Sequence, residues 1–195
     1  MINAQDVKKL RDFTGAGMVD CKKALEESSG DFDAAIKVLR KRGSKIADKK
    51  VGRGTAEGYV GSYIHSNGKL GVLIEVNCET DFVARGDEFR SLVHDLAMHI
   101  AAASPKYVST AEVDPESVKE KREEFAEATK NEKKPKEVIE RIIEGKMQKY
   151  LEEVCLLSQP FVKDPEKKVG ELVTEKIAKF GENIQVKRFA KFEIS

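Results

Sequence analysis

Few side chains in this sequence could act in catalysis or metal binding, and their spacing suits neither. His94 and His99 lie five residues apart, whereas two helical histidines that share a metal ion normally lie four apart. Glu75, Glu79 and Asp81 form a local group of carboxylates, but no nucleophile with a recognisable base accompanies them. The sequence therefore argues against a bond-making enzyme and a metal site, and it predicts no cofactor.

Two glycine-rich stretches bear only a partial likeness to phosphate-binding loops. "GAGMVD", which begins at Gly15, lacks the third glycine of a dinucleotide-binding loop and follows no predicted strand. "GRGTAEG", which begins at Gly52, has the wrong spacing for such a loop. Both stretches are better interpreted as places where helices end.

Three apolar side chains lie at or next to predicted connections, where they could be either buried or exposed for binding. Met18 and Val19 follow a Gly-x-Gly turn, and Phe82 lies between a predicted strand and a predicted helix. Local pattern favours burial, with Phe82 as a plug beneath the following helix. The alternative is exposure, because binding proteins often present apolar anchors on loops. His65 ends a predicted strand, and its local sequence favours a simple polar strand-end residue.

Composition narrows the possible partners. The 195 residues carry a net charge of only +1, whereas nucleic-acid binders usually show a strong basic excess. This balance disfavours a nucleic-acid or ribosome adaptor that would use the Lys-rich stretch around residues 43–58, and we expect no direct nucleic-acid contact. No apolar run approaches the roughly 18 to 20 residues that span a bilayer, so no membrane association is expected.

The three cysteines, Cys21, Cys78 and Cys155, are odd in number and far apart. They are typical of reduced thiols in a cytoplasmic protein rather than of a disulfide framework. The first residues also lack the apolar centre of a signal peptide. We therefore expect a cytoplasmic location.

Hydrophobic periodicity predicts an α+β fold that begins with three short helices in residues 1–45. Asn3 and Asp31 can cap the first and third helices, and Gly43 is expected to end the third. Residues 46–56 are rich in Gly and Lys and are interpreted as a linker.

Residues 57–195 are predicted to form a core domain with a small antiparallel sheet. Strands at about 57–65 and 69–78 flank the Asn67-Gly68 pair, a strong hairpin signal whose two central positions should both adopt positive φ. A last strand at 184–194 is expected in the same sheet.

Helices are expected to pack against this sheet, at about 87–103 and 169–180. A charged helical hairpin at about 115–156 is expected to project from the body, because it carries few apolar anchors. Residues 158–168, "SQPFVKDPEKK", are interpreted as a loop.

Two long stretches give the sequence a specific resemblance. "LRDFTGAGMVDCKKAL" (residues 10–25) and "VNCETDFVAR" (residues 76–85) resemble the signature segments of bacterial elongation factor Ts (EF-Ts). "MHIAAASP", "KMQKYLEEVCLLSQPFV" and "ENIQVKRFAKFEI" resemble its later segments, in family order. The resemblance covers essentially the whole chain and corresponds to a short form of the family with a single core.

The resemblance implies a guanine nucleotide exchange factor for the GTPase elongation factor Tu (EF-Tu). The N-terminal helices would resemble a ubiquitin-associated (UBA-like) domain and dock on EF-Tu. The segment Thr80, Asp81, Phe82 and Val83 would enter EF-Tu and dislodge its Mg²⁺. The residues implied for docking are Arg11, Met18, Val19 and Lys22. Family members often have a second Met where this chain has Val19.

One departure from longer family members leads to a prediction about assembly. Those members have two related core halves, with the intruding segment in the first and a Tyr-x-His hairpin contact in the second. Here a single hairpin region carries both His65 and Phe82. We therefore expect a homodimer in which one subunit offers Phe82 and its mate offers His65 to the same EF-Tu.

Overall fold

The computed structural model describes residues 2–130 and 134–194. Within these residues the chain forms eight α-helices and five β-strands, which confirms the predicted α+β class. The helices are α1 (Ala4–Thr14), α2 (Met18–Glu27), α3 (Phe32–Lys50), α4 (Asp81–Arg85), α5 (Asp87–Ala103), α6 (Pro115–Thr129), α7 (Lys136–Val154) and α8 (Val169–Phe180). The strands are β1 (Glu57–Ile64), β2 (Leu70–Cys78), β3 (Pro160–Phe161), β4 (Asp164–Lys168) and β5 (Ile184–Glu193).

Local capping and periodicity account for the three N-terminal helices. The Asn3 side chain accepts a hydrogen bond from the Asp6 N–H at 2.7 Å, and the Asp31 side chain accepts one from the Ala34 N–H at 2.8 Å, so both predicted caps are confirmed. The buried positions recur at helical spacing and form one cluster. Its members are Val7, Leu10, Cys21, Ala24, Leu25, Ala35 and Leu39.

The end of α3 differs from the prediction. Gly43 does not end the helix, which continues to Lys50 through the first residues of the predicted linker 46–56. Gly43 is buried, and a Cβ atom at this position would lie 3.5 Å from the Cβ of Ala178 in α8. That distance is an ordinary contact, so Gly43 lies in a packed position between two helices, which a local C-cap signal does not reveal.

The main sheet has the strand order β1-β2-β5. Along β2 the side chains of Val72, Ile74, Val76 and Cys78 are buried, while Leu73 is exposed, as expected for a strand with one covered face. At the turn after β1, Gly68 has a φ of 68°, whereas Asn67 does not adopt positive φ. The prediction of two positive-φ positions was therefore wrong.

The Asn67 side chain accepts the Lys69 N–H at 2.9 Å, so the asparagine closes the turn with its side chain.

The predicted helices after the hairpin are present. Helix α5 buries its apolar side chains along one stripe: Phe89, Leu92, Val93, Leu96, Ala97 and Ile100. Helices α6 and α7 contact each other through Arg122, which binds Glu140 at 2.8 Å and Glu144 at 3.0 Å. Residues 131–133 of the predicted hairpin lie outside the described residues, and the projection of this pair stays a prediction.

The predicted loop at residues 158–168 is instead a small hairpin. Strands β3 and β4 pair in an antiparallel manner, and Phe161 is buried. The Val169 N–H also donates to the Gln159 carbonyl at 3.0 Å. Burial of one aromatic side chain organises a segment whose Pro, Asp and Lys content is typical of a loop.

The described residues form two compact units. The first combines the N-terminal residues up to 59 with residues 76–90 and 171–185. The second combines residues 60–75 and 91–170 with residues from 186 onward. The predicted division into 1–45, 46–56 and 57–195 stays a prediction.

Candidate functional site

The Phe82 side chain is the most exposed large apolar group in the described part of the chain. It lies in the short helix α4 with 84% of its surface accessible. The expectation of a buried plug is wrong, because Ala84 and Phe89 occupy the buried positions of this region instead. Phe89 packs against Phe180 of α8 with ring centroids 6.4 Å apart. Phe82 is thus exposed, whereas Phe89 and Phe180 of the same unit pack against each other.

The start of α4 is held by polar contacts. Thr80 is the N-cap residue, and its hydroxyl accepts a hydrogen bond from the Val83 N–H at 3.4 Å. Burial raises the pKa of the Cys78 thiol to about 11, so the thiol stays protonated and donates to the Thr80 carbonyl at 3.2 Å. The Thr80 hydroxyl and the Thr80 carbonyl are therefore both hydrogen-bonded, and they hold the segment between β2 and α4.

The turn between α8 and β5 also contacts this segment. Glu182 accepts hydrogen bonds from the Thr80 N–H at 3.0 Å and from the Thr80 hydroxyl at 2.7 Å. Glu79 accepts the Asn183 N–H at 2.7 Å and lies 3.6 Å from the Arg53 guanidinium. The Asn183 hydrogen bond and then the nearby Arg53 charge lower the pKa of Glu79, because both favour its ionised form.

Asp81 and Arg85 flank Phe82 on the surface of α4. Their side chains form an exposed ion pair at 3.0 Å with i, i+4 spacing. Exposed pairs of this kind contribute little to stability. Both side chains therefore stay accessible to a partner, while the fold depends on them only weakly.

The turn between α1 and α2 exposes the other predicted contact residues. Met18 is 50% exposed and Val19 is 65% exposed, so burial at the helix start is wrong for both. Arg11 pairs with Asp12, and Lys22 lies 3.9 Å from Glu26. Gly15 makes the turn possible because its φ of 69° lies in the left-handed region.

Phe13, near the end of α1, was not predicted as a site residue. Phe13 is 70% exposed and makes an edge contact with Phe32 at 5.8 Å between ring centroids. Its spacing gave no signal, since Phe13 follows Leu10 by three positions just as Leu10 follows Val7, and both of those residues are buried. Phe13 adds a further exposed apolar side chain to the first unit.

His65 lies in the second unit, just after β1, and is exposed. Its Nδ1 atom lies 3.1 Å from the Tyr63 hydroxyl, and the Tyr63 ring contacts His94 at 6.0 Å between centroids. The first unit contains the Thr80 to Val83 segment together with Arg11, Met18, Val19 and Lys22. The structure thus groups eight of the nine predicted site residues in one unit and leaves His65 in the other.

The buried histidine is His99. Its Nδ1 accepts the Val162 N–H at 3.2 Å, so the Nε2–H donates to the Gln159 side chain at 2.9 Å. Burial lowers the pKa of His99 and keeps the ring neutral. His99 is a satisfied core residue that links α5 to the segment around β3. Its spacing carried this signal, because His99 lies seven residues after Leu92 and three after Leu96 on the buried stripe of α5.

The described residues contain neither of two arrangements that would suggest other functions. No three His, Cys, Asp or Glu side chains among them lie together as metal ligands would. No helix among residues 2–130 and 134–194 is both long and apolar enough to cross a membrane. What the site does present is exposed apolar side chains at the starts of two helices, α2 and α4.

Comparison with known proteins gives a consistent result over the whole chain. The family model described as "Elongation factor TS" matches residues 8–177. The chain is 53% identical over 194 residues to an elongation factor Ts of Carboxydothermus hydrogenoformans, covering 100% of this chain and 89% of that protein. It is 54% identical over 193 residues to that of Thermodesulfovibrio yellowstonii, covering 99% and 96%. It is 54% identical over 194 residues to that of Thermosipho melanesiensis, covering 100% and 99%.

Proposed function

The chain belongs to the elongation factor Ts family, and from this premise we propose that it is a guanine nucleotide exchange factor for EF-Tu in translation elongation. It acts by protein–protein binding in the cytoplasm, without a cofactor of its own and without direct nucleic-acid contact. The observation that carries the proposal is the exposed Phe82 side chain within the family's signature segment.

The Thr80 to Val83 segment is the part that enters EF-Tu. Phe82 inserts as an apolar wedge, and the carboxylate of Asp81 moves with it. The insertion displaces the Mg²⁺ that EF-Tu holds beside the nucleotide phosphates. Loss of the largest local positive charge weakens phosphate binding, so GDP leaves and GTP can enter.

The α1–α2 turn supplies the docking contact. Met18 and Val19 bury apolar surface on EF-Tu, and Arg11 and Lys22 supply the flanking positive charges. The support for this role is that both apolar side chains are exposed on a helix start although neighbouring residues of α2 are completely buried. Docking of the α1–α2 turn on EF-Tu also positions Phe82, because the turn and Phe82 belong to the same compact unit.

The free energy of nucleotide binding requires both the docking contact and the Phe82 wedge. A nucleotide held at nanomolar affinity is bound by about 12 kcal/mol, whereas burial of one Phe contributes roughly 1.5 to 3 kcal/mol. Phe82 alone therefore cannot displace GDP. A broad interface that binds the nucleotide-free state more tightly must supply the rest, and by linkage GDP weakens the factor's binding by the same ratio.

The chain acts as a homodimer, in which His65 of one subunit and Phe82 of its mate reach one EF-Tu molecule. The outer face of the sheet in the second unit supports this assembly. Ile64 covers Gly71 on that face, and Arg188 reaches Glu75 at 2.7 Å on the same side. Exposed apolar side chains share the face: Val60, Ile64, Leu73 and Phe192. A second copy of the sheet would cover this patch, since isologous contacts are self-complementary.

Release of labelled GDP from EF-Tu tests the function. We expect the wild-type chain to accelerate release and Phe82→Ala to reduce the acceleration by tenfold or more, a loss equivalent to about 1.4 kcal/mol. Val138→Ala, which truncates an exposed side chain on α7, is the matched control and should behave as wild type. No acceleration by the wild-type chain would refute exchange activity, whereas full activity of Phe82→Ala would refute only the wedge.

Light scattering tests the dimer. We expect twice the mass of a single chain for the wild type, and a monomer for a variant that combines Leu73→Lys and Phe192→Lys. A wild-type monomer that exchanges GDP at the full rate would refute the dimeric arrangement.

A further inference from the structure

The turn between α8 and β5 is bonded reciprocally to the start of α4, across 102 to 104 positions of sequence. Glu182 receives the Thr80 N–H at 3.0 Å, and Glu79 receives the Asn183 N–H at 2.7 Å. Each segment thus supplies a carboxylate for a backbone N–H of the other. We call these four residues, Glu79, Thr80, Glu182 and Asn183, the clasp.

The clasp acts on the hydroxyl that begins α4. The Thr80 hydroxyl donates to Glu182 at 2.7 Å and accepts from the Val83 N–H at 3.4 Å. A hydroxyl can donate and accept at the same time, so Glu182 orients the group that caps the helix. The Glu182 carboxylate also contacts both donors of Thr80, which fixes the residue more firmly than either bond alone.

Helix α4 needs such support. It has only five residues, and a helix this short has no stability of its own in water. Packing of the Phe82 side chain does not stabilise α4, because that side chain is 84% exposed. The direction in which Phe82 points is therefore set by the bonds at the start of α4 and by the burial of Ala84 at its end.

We propose that Glu182 is a positioning residue for nucleotide release, acting through Thr80 on Phe82. This inference rests on the proposed function, since it gives Phe82 its wedge role. Glu182 keeps α4 formed before EF-Tu arrives, so that binding energy is not consumed in ordering the wedge. Charge-assisted hydrogen bonds from a backbone N–H and a hydroxyl are well suited to this task.

The first test compares Glu182→Ala with Glu120→Ala, a matched change of an exposed glutamate on α6. GDP release from EF-Tu is measured over a range of concentrations of each protein. We expect Glu182→Ala to lower the maximal release rate by about tenfold, the size typical of losing a hydrogen bond to a charged group. The half-saturating concentration should change less than about twofold, because the docking surface is untouched.

The second test asks whether Glu182 acts through Phe82. The double variant Phe82→Ala with Glu182→Ala should be no slower than Phe82→Ala alone, because the positioned group is already missing. Glu182→Gln keeps one acceptor oxygen and should fall between wild type and Glu182→Ala. If Glu182→Ala does not fold, as judged by thermal unfolding, Glu182→Gln carries both comparisons.

The possible results distinguish the positioning role of Glu182 from the exchange activity itself. A wild-type rate for Glu182→Ala, with Phe82→Ala impaired, would overturn the positioning role and leave the exchange function standing. Additive losses in the double variant would show a general structural effect and would also overturn it. Failure of the wild-type chain to release GDP would overturn both.

Discussion

The α1–α2 turn and helix α4 both display apolar side chains at a helix start, but they are supported by different forces. Beneath Met18 and Val19, the apolar residues Cys21 and Leu25 of the same helix are completely buried. Beneath Phe82, the support at the helix start is polar and comes from Glu182, far away in sequence. The first surface is held by nearby core packing, and the second by a long-range clasp.

This difference predicts how each surface responds to change. A surface held by core packing is lost when a buried methyl or methylene group is removed, because the cavity destabilises the whole helix bundle. A surface held by a few hydrogen bonds to carboxylates can be altered one bond at a time and responds to pH. The three predictions below test this contrast.

Leu10→Ala should have the largest effect. Leu10 is completely buried in the cluster of the three N-terminal helices, so the change should lower the free energy of unfolding by roughly 2 to 5 kcal/mol. Denaturant unfolding measures the loss, and Lys8→Ala on the exposed face of α1 is the control. A loss below about 1 kcal/mol would contradict support by core packing.

Met18→Ala combined with Val19→Ala should affect binding and leave stability nearly unchanged. Both side chains are exposed, so the free energy of unfolding should change by less than about 0.5 kcal/mol. The affinity for nucleotide-free EF-Tu should fall by about tenfold, as expected when two interface anchors are truncated. Calorimetry gives the affinity, and an unchanged value would remove this turn from the docking surface.

Acidification should produce the smallest effect, and Glu79 of the clasp should contribute a measurable part of it. The pKa of Glu79 is lowered in the folded protein from an ordinary value of 4.5. Its stabilising contribution is therefore present above pH 4.5 and is lost as the pH falls through the lower folded pKa. Thermal unfolding below that pH should show a shallower loss of stability for Glu79→Gln than for wild type. Parallel pH profiles for the two proteins would contradict the clasp.

Much of the fold could be predicted from local signals. Asn3 and Asp31 form their caps, and α5 and α8 occupy the expected ranges. Local signals failed where a distant residue decides the outcome. Gly43 lies inside α3, where it is buried and faces Ala178 of α8, and Phe161 is buried in what was predicted to be a loop.

The candidate site shows the same division. The sequence identified the Thr80 to Val83 segment and the α1–α2 turn by their resemblance to family signatures, but local pattern favoured burial of Met18, Val19 and Phe82. A later family segment begins at Glu182, but nothing in it indicated the contact with Thr80, which spans 102 positions. A carboxylate in a turn after a helix is common, and only its hydrogen bonds to Thr80 distinguish Glu182 from other such residues.

Motifs and periodicity were enough to establish the family, the α+β class and the positions of the signature residues, because both are local properties of the chain. Helical periodicity was enough to predict Phe89 on the apolar stripe of α5, whereas the exposure of Phe82, seven positions earlier, follows from the tertiary structure. Residue type sets the free energy gained on burial, but the surrounding elements decide which side chain has a surface to pack against. Phe180 provides that surface for Phe89, and Phe82 stays exposed.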